Sequence, residues 1–379
     1  NYRAAAEAFG EAVRQDPSRA EALLGRRAAC LTPAFFEQLQ VAQAERPDCP
    51  EDAVAATAAA VTAAQSAIPH DDLLEANALA FRAVFVRNDP AGRQQVVRSL
   101  TALHERLRHA VGSAPARALL MAADAAEPLL NMTSLARSMR EDAVRIAGAN
   151  SVERAVGLWM RAAQVERERR IRAEWLPLAR EAADLCAALS PVTECAGALV
   201  FAGTGLMRER DVKHARGYFD LALRHAGARG DPTAVVMANL AYARALVDEL
   251  SIWNGETTSR TGAMDEALDL ADRALELSRA RMPHPNVFVR LLVHGPVLGV
   301  YSTAASAYSS WGLLAEAERC HRRLIERLET AGASQALAGA LEMFVRWLDG
   351  HDRQDESAPH RARAEALRKR PPQDPREMR

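Results

Sequence analysis

Apolar residues recur three or four positions apart along most of the chain, with Arg, Glu and Gln between them. That spacing places apolar side chains on one face of a helix. Alternation with a period of two, which would indicate strands, is nearly absent, and Gly and Pro lie mostly between blocks rich in Ala, Leu, Arg and Glu. The pattern therefore predicts an all-α protein.

The first predicted helix has a specific order of small and large residues on one face. Ala5, Phe9 and Ala12 lie four and three positions apart, and Pro17 then ends the helix before a second helix begins. Small residues let two helix backbones approach each other, and a large residue fills the space beside them. The pattern predicts that this helix pairs closely with a neighbour.

Two later stretches show the same order over a complete pair of helices. The first pair has the seam Leu199, Ala202, Gly203 and Leu206, followed by Ala215, Phe219 and Ala222. The second pair has Tyr301, Ala304, Ala305 and Tyr308, a turn at Gly312, and then Ala317, His321 and Leu324. Partial matches occur at Ala155/Trp159/Ala162, Ala179/Ala183/Cys186 and Ala267/Ala271/Ala274.

These stretches resemble the tetratricopeptide repeat (TPR), whose second helix carries the pattern A-x3-F…P. The resemblance implies a right-handed α-solenoid of antiparallel helix pairs. It also implies that the chain begins inside a repeat, because Asn1-Tyr2 matches the turn and first aromatic residue that precede this helix in the family. The gaps between successive matches from Ala155 are 24, 36, 52 and 50 residues, so we expect an irregular array of long helices.

The chain divides into four predicted regions. Residues 1–31 form a truncated repeat, and residues 32–130 form a helical region of degenerate repeats or a small bundle. Residues 131–348 carry the TPR-like repeats, with polar loops expected at 251–262 and 281–287. Residues 349–379 form a capping helix around 359–370 and a charged, disordered tail.

Charge and cysteine usage restrict the function classes. The formal net charge is −1, which gives no field for attracting nucleic acid, and only Lys213 and Lys369 are lysines. Five scattered cysteines fit reduced thiols and a cytoplasmic location. No apolar run is long enough to span a membrane. The Arg/Glu block at 164–175 predicts the solvated face of one long helix with i,i+4 ion pairs.

No catalytic or metal-binding motif is found. His104 and His109 in "HERLRH" lie five positions apart, so they do not share a helix face as two metal ligands would, and His104 is predicted to be a core residue in the row from Val97 to Val111. In "PHDD", Asp71 or Asp72 is predicted to cap the next helix rather than to bind a metal. We expect no cofactor, and an all-α enzyme is only the third functional alternative.

The leading hypothesis is a scaffold or adaptor that binds a peptide or partner helix in a concave groove. The TPR resemblance implies that the first helix of each pair lines this groove. The predicted groove residues are Thr204, Met207, Ser302, Ser306 and Ser309. The Lys/Asn carboxylate clamp of one TPR subset is not expected, because lysine is so rare.

The second hypothesis is a ligand- or peptide-sensing domain of a larger transcriptional or ATPase regulator. Both hypotheses expect a protein, peptide or small effector as the partner, without direct binding to nucleic acid or membrane. We also expect self-association through the half-repeat at Tyr2–Ala12, because an incomplete array exposes an apolar end face.

Overall fold

The structure is a computed structural model, and it describes residues 71–86, 89–228, 232–252, 257–281 and 287–369, with a few residues between 57 and 65. These segments are helical, and no strand occurs within them. The predictions for the first helix, the half-repeat and the C-terminal tail lie outside the described residues. The helices are α1 Asp72–Phe85, α2 Pro90–Leu107, α3 Ser113–Ala126, α4 Thr133–Ile146, α5 Val152–Arg169, α6 Arg172–Ala188, α7 Cys195–Arg208, α8 Val212–Gly227, α9 Pro232–Ile252, α10 Thr257–Arg281, α11 Val287–Ser310, α12 Leu314–Thr330, α13 Ser334–Asp349 and α14 Gln354–Lys369.

Several helices begin at a residue whose side chain caps the helix start. Asp71 accepts hydrogen bonds from the backbone N–H groups of Leu73 and Leu74, both at 3.0 Å, which confirms Asp71 as the cap of α1. Asp89 caps α2, whose first residue is Pro90. These short polar side chains satisfy backbone donors that a helix start leaves without a partner.

The chain divides into two compact units, one comprising Asn1–Ser190 with Gly197–Ala202 and the other Pro191–Ala196 with Gly203–Arg379. In the first unit, each helix packs against the next one, and α3 also packs against both α1 and α5. One hydrophobic core includes residues from Val61 to Met160, so residues on both sides of position 130 contribute to it.

The second unit has the same organisation. From α8 to α14 each helix packs against the next, and α11 also packs directly against both α9 and α13. We call α9, α11 and α13 the odd layer and α10, α12 and α14 the even layer. This arrangement of successive helix pairs confirms the all-α helical-repeat fold, while the handedness and the assignment to the TPR family stay predictions.

Four helix ends in the second unit share one turn geometry. In each, a residue with positive φ is followed by a residue whose N–H donates to the carbonyl five positions back, as in a Schellman motif. The residues with positive φ are Arg210 (62°), Gly312 (75°), Gly332 (65°) and Asp352 (59°). The hydrogen bonds are Asp211 to Leu206, Leu313 to Tyr308, Ala333 to Leu328 and Arg353 to Leu348. The turn predicted at Gly312 is therefore confirmed.

Replacing Gly312 with alanine is expected to lower the free energy of unfolding by about 1–2 kcal/mol, because a Cβ atom is strained at positive φ. The same change at Gly217 is the control. Gly217 is exposed inside α8, and an added Cβ meets nothing within 4 Å, so Gly217→Ala should stabilise the protein by about 0.5–1 kcal/mol. Urea denaturation measures the free energy of unfolding of both variants, which should change in opposite directions. Equal changes would contradict the positive φ at Gly312.

Two sequence predictions about helices are wrong. The expected loop at 251–262 is helical at 251–252 and at 257–262, because α9 ends at Ile252 and α10 begins at Thr257. The Arg/Glu block is not one long helix, since α5 ends at Arg169 and Arg170 adopts a left-handed conformation (φ 54°) before α6 begins. The ion pairs of this block include Arg167 with Glu127, the residue that follows α3, and the i,i+4 prediction did not include this pair.

Two predictions about buried side chains and thiols also need correction. Val111 does not continue the row of His104, because α2 ends at Leu107 and the Val111 side chain is exposed. The thiols are not all reduced, since Cys186 and Cys195 are each disulfide-bonded. Cys320 is free and buried.

Candidate partner-binding surfaces

The predicted seam residues are buried where the helices cross. Ala202, Ala215 and Ala222 are fully buried. Gly203 lies against the Phe219 ring, because a Cβ atom at Gly203 would be 3.1 Å from it. Phe219 in turn stacks on Tyr242, with ring centroids 4.4 Å apart. The small residues of the sequence pattern thus create the close approach between α7 and α8 that they predicted.

The five predicted groove residues lie in three different environments. Thr204 is half-buried on α7, whereas Met207 is only 2% exposed and belongs to the core. The prediction of Met207 as a groove residue is therefore wrong, because this position lies on the buried side of α7. Ser302 is half-buried and Ser306 is exposed, and both lie on α11. Ser309 accepts a 2.8 Å hydrogen bond from the indole Nε1 of Trp347, so it joins α11 to α13.

Ser302 and Ser306 belong to a longer row of small residues on α11. Gly295, Gly299, Ser302 and Ser306 lie four, three and four positions apart and therefore share one face. Gly295 is exposed and Gly299 is half-buried. We call these four residues the α11 face. It offers three helical turns without a large side chain, so the backbone of another chain could approach it closely.

Neighbouring helices of the odd layer border this face. Arg244 of α9 reaches over α11, because a Cβ atom at Gly299 would lie 3.0 Å from Nη1 of Arg244. On the other side, Leu298 lies near Gly339 of α13, 3.9 Å from the position of a Cβ atom there. Met237 of α9 is 40% exposed. The sequence prediction missed Arg244 and the two glycines, although the four-three-four spacing on α11 would have revealed the glycines.

Behind this face, a buried carboxylate connects α10, α11 and α12. Tyr301 of α11 donates a 2.6 Å hydrogen bond to Asp272, which is 4% exposed. Arg323 and Arg327 of α12 donate to the other oxygen of Asp272 at 2.7 and 2.9 Å. Burial, followed by the charge of Asp272, raises the pKa of Tyr301 far above its usual range, so the hydroxyl stays protonated as the donor. This network fixes α11 against the even layer.

The first unit has a separate cleft of about 530 Å³ between α2 and α4. Met132 and Leu135 provide apolar surface, and Ser134 and Ser138 are exposed hydroxyls. The remaining lining residues are Thr101, His104, Glu105, Arg108, Glu141 and Asp142. The volume lies within the range of small-molecule sites, and the lining is mainly polar.

His104 and Asp142 form the polar wall of this cleft. His104 is 6% exposed, as predicted for a core residue, and its Nε2 lies 2.8 Å from Oδ2 of Asp142. Burial would raise the pKa of Asp142, but hydrogen bonds from Arg145 and His104 outweigh it and lower that pKa. The Nε of Arg108 is buried without a hydrogen-bond partner in the described part of the chain.

A cluster of aromatic rings and histidines joins the last three helices. His321 of α12 stacks on Phe344 of α13 at 5.4 Å, and His360 of α14 packs on the same ring at 5.0 Å. Glu318 accepts hydrogen bonds from Arg353 and Arg322, mainly from Arg353, which lower its pKa to about 2. α14 thus packs against α13 through this cluster, and it begins at Gln354, earlier than the helix predicted around 359–370.

His321 should make the stability of this region depend on pH. Burial lowers the pKa of His321 to about 4, below the 6.5 of an exposed imidazole. The unfolded chain therefore binds a proton at a higher pH than the folded chain does, so stability is complete above about pH 6.5 and is lost as the pH falls towards 4. Between pH 7 and pH 5 the loss should be roughly 2 kcal/mol.

Thermal denaturation at several pH values, with hydrogen exchange of α12–α14, measures this effect. His321→Gln should remove most of the dependence between pH 7 and pH 5, whatever its effect on absolute stability. His109→Gln is the control, since His109 is exposed. An unchanged pH dependence in His321→Gln would show that other groups cause it.

Two general site types are absent from the described residues. No group of three or more His, Cys, Asp or Glu side chains is arranged there to hold a metal ion. None of the helices in those segments combines the length and the apolar character that crossing a bilayer requires.

The chain matches no known protein-family model, and no curated protein matches it. Solved structures that match include a "Circular tandem repeat protein with novel repeat topology and enhanced subunit contact surfaces". The alignment covers 97% of this chain and 87% of that chain, with 13% identity and a TM-score of 0.26. At that level the likeness carries no argument about function, and the helical-repeat fold follows from the packing of the helices described above.

Proposed function

We propose that this chain is a protein-interaction scaffold that binds a peptide or a partner helix on the odd layer of its second unit. The α11 face carries the proposal. Residues with little or no side chain leave the helix surface open to the main chain of a partner, and the partly exposed Met237 adds an adaptable apolar contact. The buried contacts of Tyr301 support the role, because they hold α11 in place from behind.

An affinity pull-down from the native lysate with quantitative mass spectrometry tests this proposal. The test variant is Ser302→Glu/Ser306→Glu, which fills the α11 face with two long charged side chains. The control is Ala315→Glu/Thr330→Glu, which adds the same charges at exposed positions of α12 in the even layer. We expect a partner that is retained by the wild type and the control and is lost from the α11 variant. A partner retained equally by all three proteins would exclude the α11 face.

The α2–α4 cleft favours a second candidate function, the binding of a small effector by a sensor domain. Native mass spectrometry of gently purified protein would detect a bound compound as a defined added mass. Ser134→Trp/Ser138→Trp should remove that mass by filling the cleft, whereas Ala102→Trp, at an exposed position that does not line it, should keep it. An added mass that persists in the cleft-filling variant would contradict this candidate.

A further inference from the structure

We propose that Arg244 binds the carboxylate of an Asp or Glu side chain within an extended peptide on the α11 face. The inference rests on the proposed function and names the chemistry of the partner. It follows from the guanidinium of Arg244, from the glycine beneath it and from the extent of the α11 face.

One hydrogen bond orients the guanidinium of Arg244, and its other N–H groups are available to a ligand. Its Nε donates a 2.9 Å hydrogen bond to Oδ2 of Asp248, one turn further along α9. Within the described residues, Nη1 and Nη2 have no hydrogen-bond or ion-pair partner, and the side chain is 50% exposed. Two parallel N–H groups on one edge of a guanidinium match the two oxygens of a carboxylate.

Gly299 determines where this edge lies. Its hypothetical Cβ atom would be 3.0 Å from Nη1, closer than such atoms normally approach. A Cβ atom at this position would require the guanidinium to shift by a few tenths of an ångström. The glycine therefore allows the cation to lie over the α11 face, where a bound peptide would pass.

The α11 face continues on both sides of Gly299. Gly295 lies one turn before it, and Ser302 and Ser306 lie one and two turns after it. A peptide that follows this face would extend beyond Arg244 in both directions. The carboxylate at Arg244 therefore belongs to an internal acidic side chain, and small or apolar neighbours in the peptide fit the shallow surface around it.

Asp248 limits the strength of the contact. Its carboxylate orients the guanidinium but also repels a second carboxylate on the same cation. We therefore expect Arg244→Gln to weaken binding by about tenfold, which is the lower end of the range for a hydrogen bond between charged groups.

Selection from a random twelve-residue peptide library on the complete 379-residue chain tests the inference. The wild type should enrich peptides with an internal Asp or Glu flanked by small or apolar residues. Arg244→Gln should lose this preference, and Arg244→Glu should select Lys or Arg at the same peptide position. Arg273→Gln is the matched control, because Arg273 is an exposed arginine on α10 in the even layer.

The affinity of one selected peptide and of its Asp→Asn form then completes a double-mutant cycle. The peptide change should weaken binding to the wild type about tenfold and should have little effect on Arg244→Gln. Selected peptides without an acidic preference, or a preference that persists in Arg244→Gln, would overturn this inference and leave the scaffold proposal intact. If the wild type enriches no peptide, the scaffold proposal itself fails.

Discussion

Replacing Asp272 with alanine is expected to lower the free energy of unfolding of the second unit by about 3 kcal/mol. Asp272 is buried and accepts hydrogen bonds from Tyr301, Arg323 and Arg327. Without it, the buried hydroxyl of Tyr301 loses its acceptor and two guanidinium groups lose their shared anion. Asp269 and Glu276 continue to pair with the two arginines. The expected loss of unfolding free energy therefore lies at the lower end of the range for breaking a buried ion pair.

Asp269→Ala is the matched control for this change. Asp269 lies on the same helix and also pairs with Arg323, but its side chain is 69% exposed. Its loss should cost no more than about 1 kcal/mol, since water replaces an exposed ion pair readily. Urea denaturation gives the energies, and hydrogen exchange shows whether α10, α11 and α12 open together. Equal effects of the two substitutions would mean that burial of the Asp272 network contributes nothing.

Phe219→Ala is expected to cost about 3–5 kcal/mol, the usual range for removing a buried aromatic side chain. Phe219 is fully buried between Gly203 and Tyr242. Phe219→Leu keeps most of the volume and should cost roughly 1–2 kcal/mol. The difference between the two variants measures the cavity that the aromatic ring fills.

The interaction between Phe219 and Gly203 can be tested in the same experiment. Gly203→Ala should destabilise the wild type, because its Cβ atom would lie 3.1 Å from the Phe219 ring and 3.3 Å from the carbonyl oxygen of Ala215. In the Phe219→Ala background the first of these contacts disappears, so the cost should be smaller. Strictly additive costs would contradict the close approach of these two residues.

The sequence predicts the seams of this fold better than its helix boundaries. Small residues at crossing points have one physical role, and the predicted seam positions from Leu199 to Leu324 are buried. The turn at Gly312 was predictable because glycine adopts positive φ without strain, whereas Arg210 and Asp352 form the same turn without that signal. The start of α10 at Thr257 was missed because polar residues and a glycine resemble a loop.

The candidate site was predictable only in part. Ser302 and Ser306 could be predicted, because their spacing from the buried tyrosines of α11 places them on a different side of the helix. This spacing can be read directly from the sequence. Met207 was misplaced because its side of α7 is buried as well. Arg244 could not be assigned, since its position over Gly299 depends on how α9 packs against α11. The cleft in the first unit likewise depends on the distance between two helices that are not consecutive.

The two layers of the second unit should differ in how they respond to salt. The odd layer is held by direct packing of helices, whereas α10 and α12 are connected by the buried contacts of Asp272 and by more exposed pairs such as Arg323 with Asp269 and Arg327 with Glu276. Salt screens exposed ion pairs but acts little on buried ones, and it does not weaken close apolar packing. Raising the salt concentration should therefore loosen the outer edge of the even layer, while the α11 face and the Asp272 contacts behind it keep their geometry.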